Sequence, residues 1–415
     1  MIKADCLVLG AGMVGVSAAL HLQKRGRSVV LVDRRGAAEE TSFGNAGIIQ
    51  REGIVPYGFP REWSKILKYA MNGSPDAHLH WRALPSIAPQ LWRYWRHGTA
   101  ERLDRSARAM KPLIERVVGE HGALMQEAGI IAMMRRTGYL KLYRDRVTFE
   151  AAIKADEIGR RVYGVTSEVK DVAAIQALEP HLAPVFVGGL LMAQPVSVAD
   201  PSAVGKAYAE LFRRNGGRFV TGDARTLEPM DGGWRVRNVD GDIAAREAVI
   251  ALGPWSDVVL AGQGVRVPLG VKRGYHMHYK AKGNATLARP VIDTDNGLSL
   301  VSMTRGIRLT TGVEFALRDA PATPVQLERV EPAARGLFPL GERLDAAPWL
   351  GARPYLPDMV PMIGPVPGKP GLWADFGHHH LGFTLGPVSG RLLAEQMTGA
   401  APFTDPHPYR VDRFA

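Results

Sequence analysis

The stretch LVLGAGMVGVSAALHLQKRG (7–26), followed at once by SVVLVDRR (28–35), decides the reading of this chain. An apolar run so near the start could be an export signal. Against that, Asp5 stands beside a lone Lys3 and three glycines interrupt the run. DCLVL (5–9) reads instead as a buried strand, short, apolar and ended by glycine. Gly10, Gly12 and Gly15 then spell G-x-G-x-x-G. The first allows a tight turn, the second lets a pyrophosphate approach the backbone, and the third lets helix and strand touch. A helix from Met13, with Val14, Ala18 and Leu22 among its apolar residues, ends at Gly26. SVVLV (28–32) is a second buried strand. Asp33 closes it 18 residues after Gly15, near the spacing of an acid that accepts a ribose hydroxyl. Together these predict a βαβ unit that holds an adenine dinucleotide, phosphates at the helix start. The unit itself leaves NAD and FAD both open.

Outward from that unit, 415 residues exceed one small core and suit two lobes. Hydrophobic residues make up 46% and charged residues 22%, the balance of a soluble globular protein. The single cysteine, Cys6, excludes a disulfide framework and any cysteine-based zinc site, and it is compatible with reducing cytosol. A net charge of +11 attracts anions, but the basic residues are dispersed, which argues against a nucleic-acid face. No run of 18 apolar residues occurs, so no membrane-spanning helix is expected.

Three further segments carry chemistry. RRGAAEETSFGNAGIIQ (34–50) offers the Ser42 hydroxyl, the Asn45 amide and bare backbone at Gly47 within a short loop. GGRFVTGDARTLEPMDGGWRVRNVDGDIAAREAVIALGPWS (216–256) reads as a β-meander, from RFVTG through WRVRNV to AVIALG. Near the end, LWADF (372–376) meets a Gly/His turn and then a helix.

The pattern resembles the D-amino-acid oxidase superfamily of flavoproteins, in particular its D-amino-acid dehydrogenase branch. TSFGNAG, VIALGPWS, GARPYLPDMVPMIG and GHHHLGFTLGP are similar to that family's segments, in order, from residue 5 to about 397. The glycine motif alone is generic, whereas the four together are specific. The resemblance implies an α/β fold with an α+β second domain. A Rossmann-like FAD-binding domain (1–60, 197–262 and 335–415) would interleave with a mixed-sheet substrate domain (61–196 and 263–334) capped by helices.

Carried over residue by residue, Gly10, Gly12, Met13, Val14 and Gly15 would meet the pyrophosphate, and Asp33 and Arg34 the adenosine. Ser42, Asn45, Ala46 and Gly47 would lie by the phosphates and the flavin. Val220 would meet the adenine through its backbone, and Gly253 and Trp255 would line the adenosine side. Gly377, His378, Leu381, Gly382, Phe383 and Thr384 would lie near the flavin ring and ribityl chain, with backbone N–H groups at a helix start to stabilise the reduced ring. Cys6 is far along the chain from these ring segments, so FAD is expected to be non-covalent.

The implied reaction takes a hydride from the Cα of a D-amino acid or cyclic imino acid to flavin N5, leaving an imine. Electrons would pass to a quinone or another acceptor, in a cytoplasmic enzyme. Arg353 matches the family's carboxylate-binding arginine, a role that suits a guanidinium fork. VKRGYHMHY (271–279) departs from the family's usual Lys-Gly-Tyr by an added Arg273, so either Tyr275 or His276 caps the substrate; strand neighbours point to opposite faces. His379, with His378, would tune the ring; three consecutive histidines diverge, so no metal is expected.

LHWRALPSIAPQLWRYWRHG (79–98) places Leu91, Trp92 and Trp95 on one helical face. It serves either as a docking helix of the substrate domain or as a peripheral contact with an anionic membrane's inner face. KPLIERVVGEHGALMQEAG (111–129) reads as one amphipathic scaffold helix. The competing functions are an O₂-using oxidase of the glycine or sarcosine type, an NAD(P)-dependent reductase, and a non-catalytic flavin-binding regulator.

Overall fold

A computed structural model describes residues 2–238 and 241–414. The opening unit forms as expected: strand Ile2–Leu9, helix Met13–Gln23 and strand Val29–Asp33, with the two strands parallel. The first strand starts earlier than its apolar run because Ile2 already pairs with Ile243 of the strand Ile243–Ile250. Gly10 has φ +104°, and a Cβ there would stand 2.5 Å from the Ala251 carbonyl oxygen. A Cβ on Gly15 would stand 1.8 Å from the Gly10 carbonyl oxygen, so neither turn position accepts another residue.

Among the described residues, this unit sits in an eight-stranded sheet with parallel strands at its centre. Leu372–Phe376 pairs parallel with Ile243–Ile250, which pairs parallel with Ile2–Leu9. The final helix, Gly382–Met397, packs on the first: a Cβ on Gly390 would stand 2.6 Å from the Ala18 amide nitrogen. The expected meander is only partly one. Arg218–Thr221 lies at the far edge, parallel to Val29–Asp33, while Gly233–Val236 pairs antiparallel with Ile243–Ile250. Val239, the last residue of the expected WRVRNV strand, lies outside the described residues.

A second, eleven-stranded mixed sheet is built around the long strand Gly270–Ala281. Trp349–Tyr355 pairs antiparallel with it from Gly270↔Tyr355 to His276↔Trp349, and Leu340–Arg343 pairs with its far end. Both strands follow residue 335, so that boundary of the expected dinucleotide domain falls inside this second sheet. The reason is the extensive ladder they make with Gly270–Ala281.

The 111–129 segment divides into the end of helix Ala100–Ile114 and the whole of helix Val117–Glu127, so that Leu113, Ile114 and Val117 all reach the core. In helix Leu84–His97 the tryptophan face is not the docking face. Tyr94 is the buried residue, against Phe59 and Tyr355, while Trp92 and Trp95 stack at 5.0 Å with Trp92 exposed.

Candidate active site

The row Ala374–Ile250–Leu9–Val32 runs across four parallel strands. One residue later, at the strands' carboxyl ends, stand Asp375, Ala251, Gly10 and Asp33 in that order. Ligands of open α/β sheets bind at such a crest. Here a cavity of about 1440 Å³ begins at the crest and extends between the two sheets.

Of the expected cofactor residues, Gly10, Gly12, Met13, Val14, Asp33 and Arg34 line the cavity. So do Ser42, Asn45, Ala46, Gly253 and Trp255, and, on the C-terminal turn, His378, Gly382 and Phe383. Asp33 accepts from the Ala11 amide at 2.7 Å and from Arg35 at 2.9 Å, which holds the turn open. Burial pushes its pKa up, opposed by those two hydrogen bonds. Arg34 lies over the Trp255 ring at 4.5 Å. Ser42 Oγ accepts from the Met13 amide at 3.0 Å and so fastens the loop to the helix start.

The remaining expected residues stand behind the wall. Gly15 packs against the turn, and Gly47 donates to Asn45 Oδ1 at 2.8 Å. Val220 spends its backbone on the ladder with Val32, and the adjoining wall comes from Thr221 to Thr226 instead. Gly377, φ +87°, shapes the turn, and Leu381 is packed in the core. Thr384 Oγ1 donates to the Ile48 carbonyl at 3.1 Å and accepts from the Gln50 amide at 3.2 Å, binding helix to loop.

Asp375 was missed by the sequence reading. It lines the cavity and is wholly buried, and neither carboxylate oxygen has a hydrogen-bond partner among the described residues. His378 Nε2 lies 3.2 Å from it but out of line for a hydrogen bond. Burial pushes the Asp375 pKa up. Its signal was a lone charge inside the apolar strand LWADF. An extended dinucleotide fits these residues. The bare turn would accept phosphates, and Asp33 and the unpartnered Asp375 would accept sugar or polyol hydroxyls.

Farther from the crest the wall turns cationic. Arg353 and Lys272 are cross-strand partners, and both expose surface to the cavity while protein encloses the rest. Arg353 donates to the Gly312 carbonyl at 3.0 Å, and no carboxylate lies within ion-pair distance among the described residues. A Cβ on Gly274 would stand 2.6 Å from its guanidinium, so the glycine is what lets Arg353 lie along the strand. Burial pulls the Arg353 pKa down. Lys272 sits over the Tyr94 and Tyr355 rings at 4.0 and 4.8 Å. Burial, then Arg353, pulls its pKa down to about 7.

His379 has φ +57°, strained for a side-chain-bearing residue, and both its ring nitrogens are buried without partners. Burial, then Lys272, holds it neutral.

Neither Tyr275 nor His276 is among the residues that line the cavity. Tyr275 faces away, donating to Glu314 at 3.2 Å and accepting from the Thr323 amide at 2.7 Å. The added Arg273 belongs to the same network, 2.7 Å from Glu314. His276 is on the cavity side but stacks under Trp349 at 4.8 Å, and Trp349 forms the wall there. The alternation instead presents Lys272 and Gly274.

The family profile described as FAD dependent oxidoreductase matches residues 5–396. A D-amino acid dehydrogenase of Paramagnetospirillum magneticum is 32% identical over 425 residues, covering 98% of each chain. A D-amino-acid oxidase of Bradyrhizobium diazoefficiens is 29% identical over 420 residues, again 98% of each. Among solved structures, glycine oxidase from Geobacillus kaustophilus superposes with a TM-score of 0.76 at 19% identity, over 100% of this chain and 99% of that one. At that identity the likeness is one of fold. The chain belongs to the DAO family of FAD-dependent oxidoreductases.

Proposed function

We propose that this enzyme is a D-amino-acid dehydrogenase, oxidising a D-amino acid or cyclic imino acid at Cα to the imine, which from an open-chain substrate hydrolyses to a 2-oxo acid and ammonia. The observation that carries this is Arg353, a guanidinium on the cavity wall with no carboxylate in ion-pair distance among the described residues. Such a charge is stabilised by a substrate carboxylate, which a guanidinium grips bidentately. FAD supplies the hydride acceptor. Arg353 orients the substrate, and the neutral His379 can take a hydrogen bond from the amine without adding charge. The names of the two bacterial relatives point to the same substrates.

For the electron acceptor we propose a quinone or similar carrier, reached by peripheral contact with an anionic membrane from the cytoplasmic side. No helix among the described residues is long and apolar enough to cross a membrane. Helix Trp63–Ala70 buries none of its residues. Its outer stripe of Trp63, Leu67 and Met71 is 76%, 58% and 66% exposed, with Lys65 and Lys68 alongside. Lys65 and Tyr69 of the same helix line the cavity, so this face adjoins its mouth.

The test is anaerobic bleaching of the yellow holoenzyme with D- and L-amino acids, prolines and N-methyl glycines. Bleaching by D-amino acids or imino acids is expected, and none with any amine would overturn the reading. Stoichiometric peroxide under air would favour the oxidase instead.

A further inference from the structure

On the cavity side of strand Gly270–Ala281 the residues run Gly270, Lys272, Gly274. Each glycine is a lane for a side chain of the neighbouring strand. A Cβ on Gly274 would meet the Arg353 guanidinium at 2.6 Å, and one on Gly270 would meet the Tyr355 ring at 2.4 Å. Arg353 begins opposite Lys272 and therefore reaches two residues along the strand, toward Gly351 and Trp349. The Lys272 ammonium goes the other way, to the Tyr355 and Tyr94 rings. The two side chains leave their paired positions in opposite directions along the strand, so the cations diverge rather than converge on one point.

Among the described residues neither cation has a carboxylate within ion-pair distance. Each charge is largely enclosed by protein, and an enclosed charge without a counter-ion costs stability. Asp76, an acid on the same cavity, is engaged by the Tyr69 hydroxyl at 2.7 Å and is no partner for either cation. His380, beside both cations, is held neutral by burial and by them, and offers a hydrogen bond without charge.

We propose that Lys272 forms an anion subsite distinct from Arg353, and that the preferred substrate is a dicarboxylic amino acid. The α-carboxylate meets Arg353, and the side-chain carboxylate reaches Lys272 between the two tyrosines. This rests on the amino-acid reading above, and its test is chosen to stand apart from turnover.

Glutarate and butyrate, unreactive acids with two carboxylates and one, are titrated into the holoenzyme and followed by perturbation of the flavin absorbance. Glutarate is expected to bind about 10- to 100-fold more tightly, the value of one charge-assisted contact. Lys272→Met should collapse that ratio toward one, and Lys272→Arg should retain most of it. In turnover, the preference for D-glutamate over D-glutamine should collapse in the same variant. Equal affinities for the two acids in the wild type would overturn the subsite. So would a Lys272→Met loss that falls equally on butyrate, since both cations would then grip one carboxylate. A Lys272-dependent glutarate preference without bleaching by any amino acid would leave the anion subsite standing, while removing the amine-oxidation reading and the amino-acid substrate with it.

Discussion

Asp33 and Asp375 flank the glycine turn, each one residue beyond the same row of parallel strands, roughly 14 Å apart by three strand spacings of about 4.8 Å. The first is satisfied by backbone amides, while the second has no hydrogen-bond partner among the described residues and only His378 Nε2 at 3.2 Å beside it. A wholly buried carboxylate without partners costs the apoprotein about 1–3 kcal/mol. Asp375→Ala should therefore raise the apoprotein melting temperature while weakening FAD binding about tenfold, read by flavin fluorescence titration. A raised carboxyl pKa means its folded form favours the proton. That contribution to apoprotein stability is full below the unfolded pKa and fades as pH rises through the folded one, and Asp375→Ala should remove the trend.

Arg353→Ala is expected to raise KM for carboxylate substrates about 30-fold or more with FAD still bound one to one. Arg353→Lys should recover little of the loss, because an ammonium lacks the fork.

Gly274→Ala is a subtler probe, since its Cβ would stand 2.6 Å from the Arg353 guanidinium. KM should rise about tenfold from displacement of the grip, with the melting temperature nearly unchanged because a long side chain can yield. A KM like the wild type's would show that Arg353 does not work from this lane.

Lys272 titrates near neutrality, with a folded pKa of about 7 against an ordinary value of 10.5. Between those values the unfolded chain holds the extra proton, so this group makes apoprotein stability rise with pH across that window. Glutarate affinity should move oppositely, weakening by up to about tenfold per unit above pH 7 as the ammonium is lost. A flat profile from pH 6 to 9 would deny Lys272 the role.

Trp63→Ser combined with Leu67→Ser removes apolar surface that is mostly exposed. Flotation with phosphatidylglycerol vesicles should fall several-fold, with catalytic constants for a soluble acceptor retained. Equal flotation would remove helix Trp63–Ala70 from the contact.

The opening βαβ unit was legible because backbone geometry dictates it: at Gly10 and Gly15 any Cβ collides with main chain. The loop at Ser42–Asn45 and the turn before Gly382 were legible through resemblance, and most of their residues do border the cavity. The phase of strand Gly270–Ala281 was not. Alternation says that Tyr275 and His276 face opposite ways but not which face is covered, and Trp349 and Glu314 decide that from distant segments. Lys272 and Asp375 escaped for the same reason, since their lack of partners is a property of the folded surroundings. The parting of Arg218–Thr221 from the meander depends on a pairing with Val29–Asp33 that turn residues do not encode.

The pairing of Ile2–Leu9 with Ile243–Ile250, and of that strand with Leu372–Phe376, has a consequence for biosynthesis. At roughly 5–20 residues per second, some 12 to 50 s separate emergence of the first strand from that of its neighbour Ile243–Ile250, and Leu372–Phe376 follows later still. Throughout that interval Leu7, Val8 and Leu9 have only the cover of Val29–Asp33 and helix Met13–Gln23, and that helix waits longer still for Gly382–Met397. Nascent chains stalled before residue 372 should recruit chaperones through these first residues, and the nucleotide lobe closes only once translation is nearly complete.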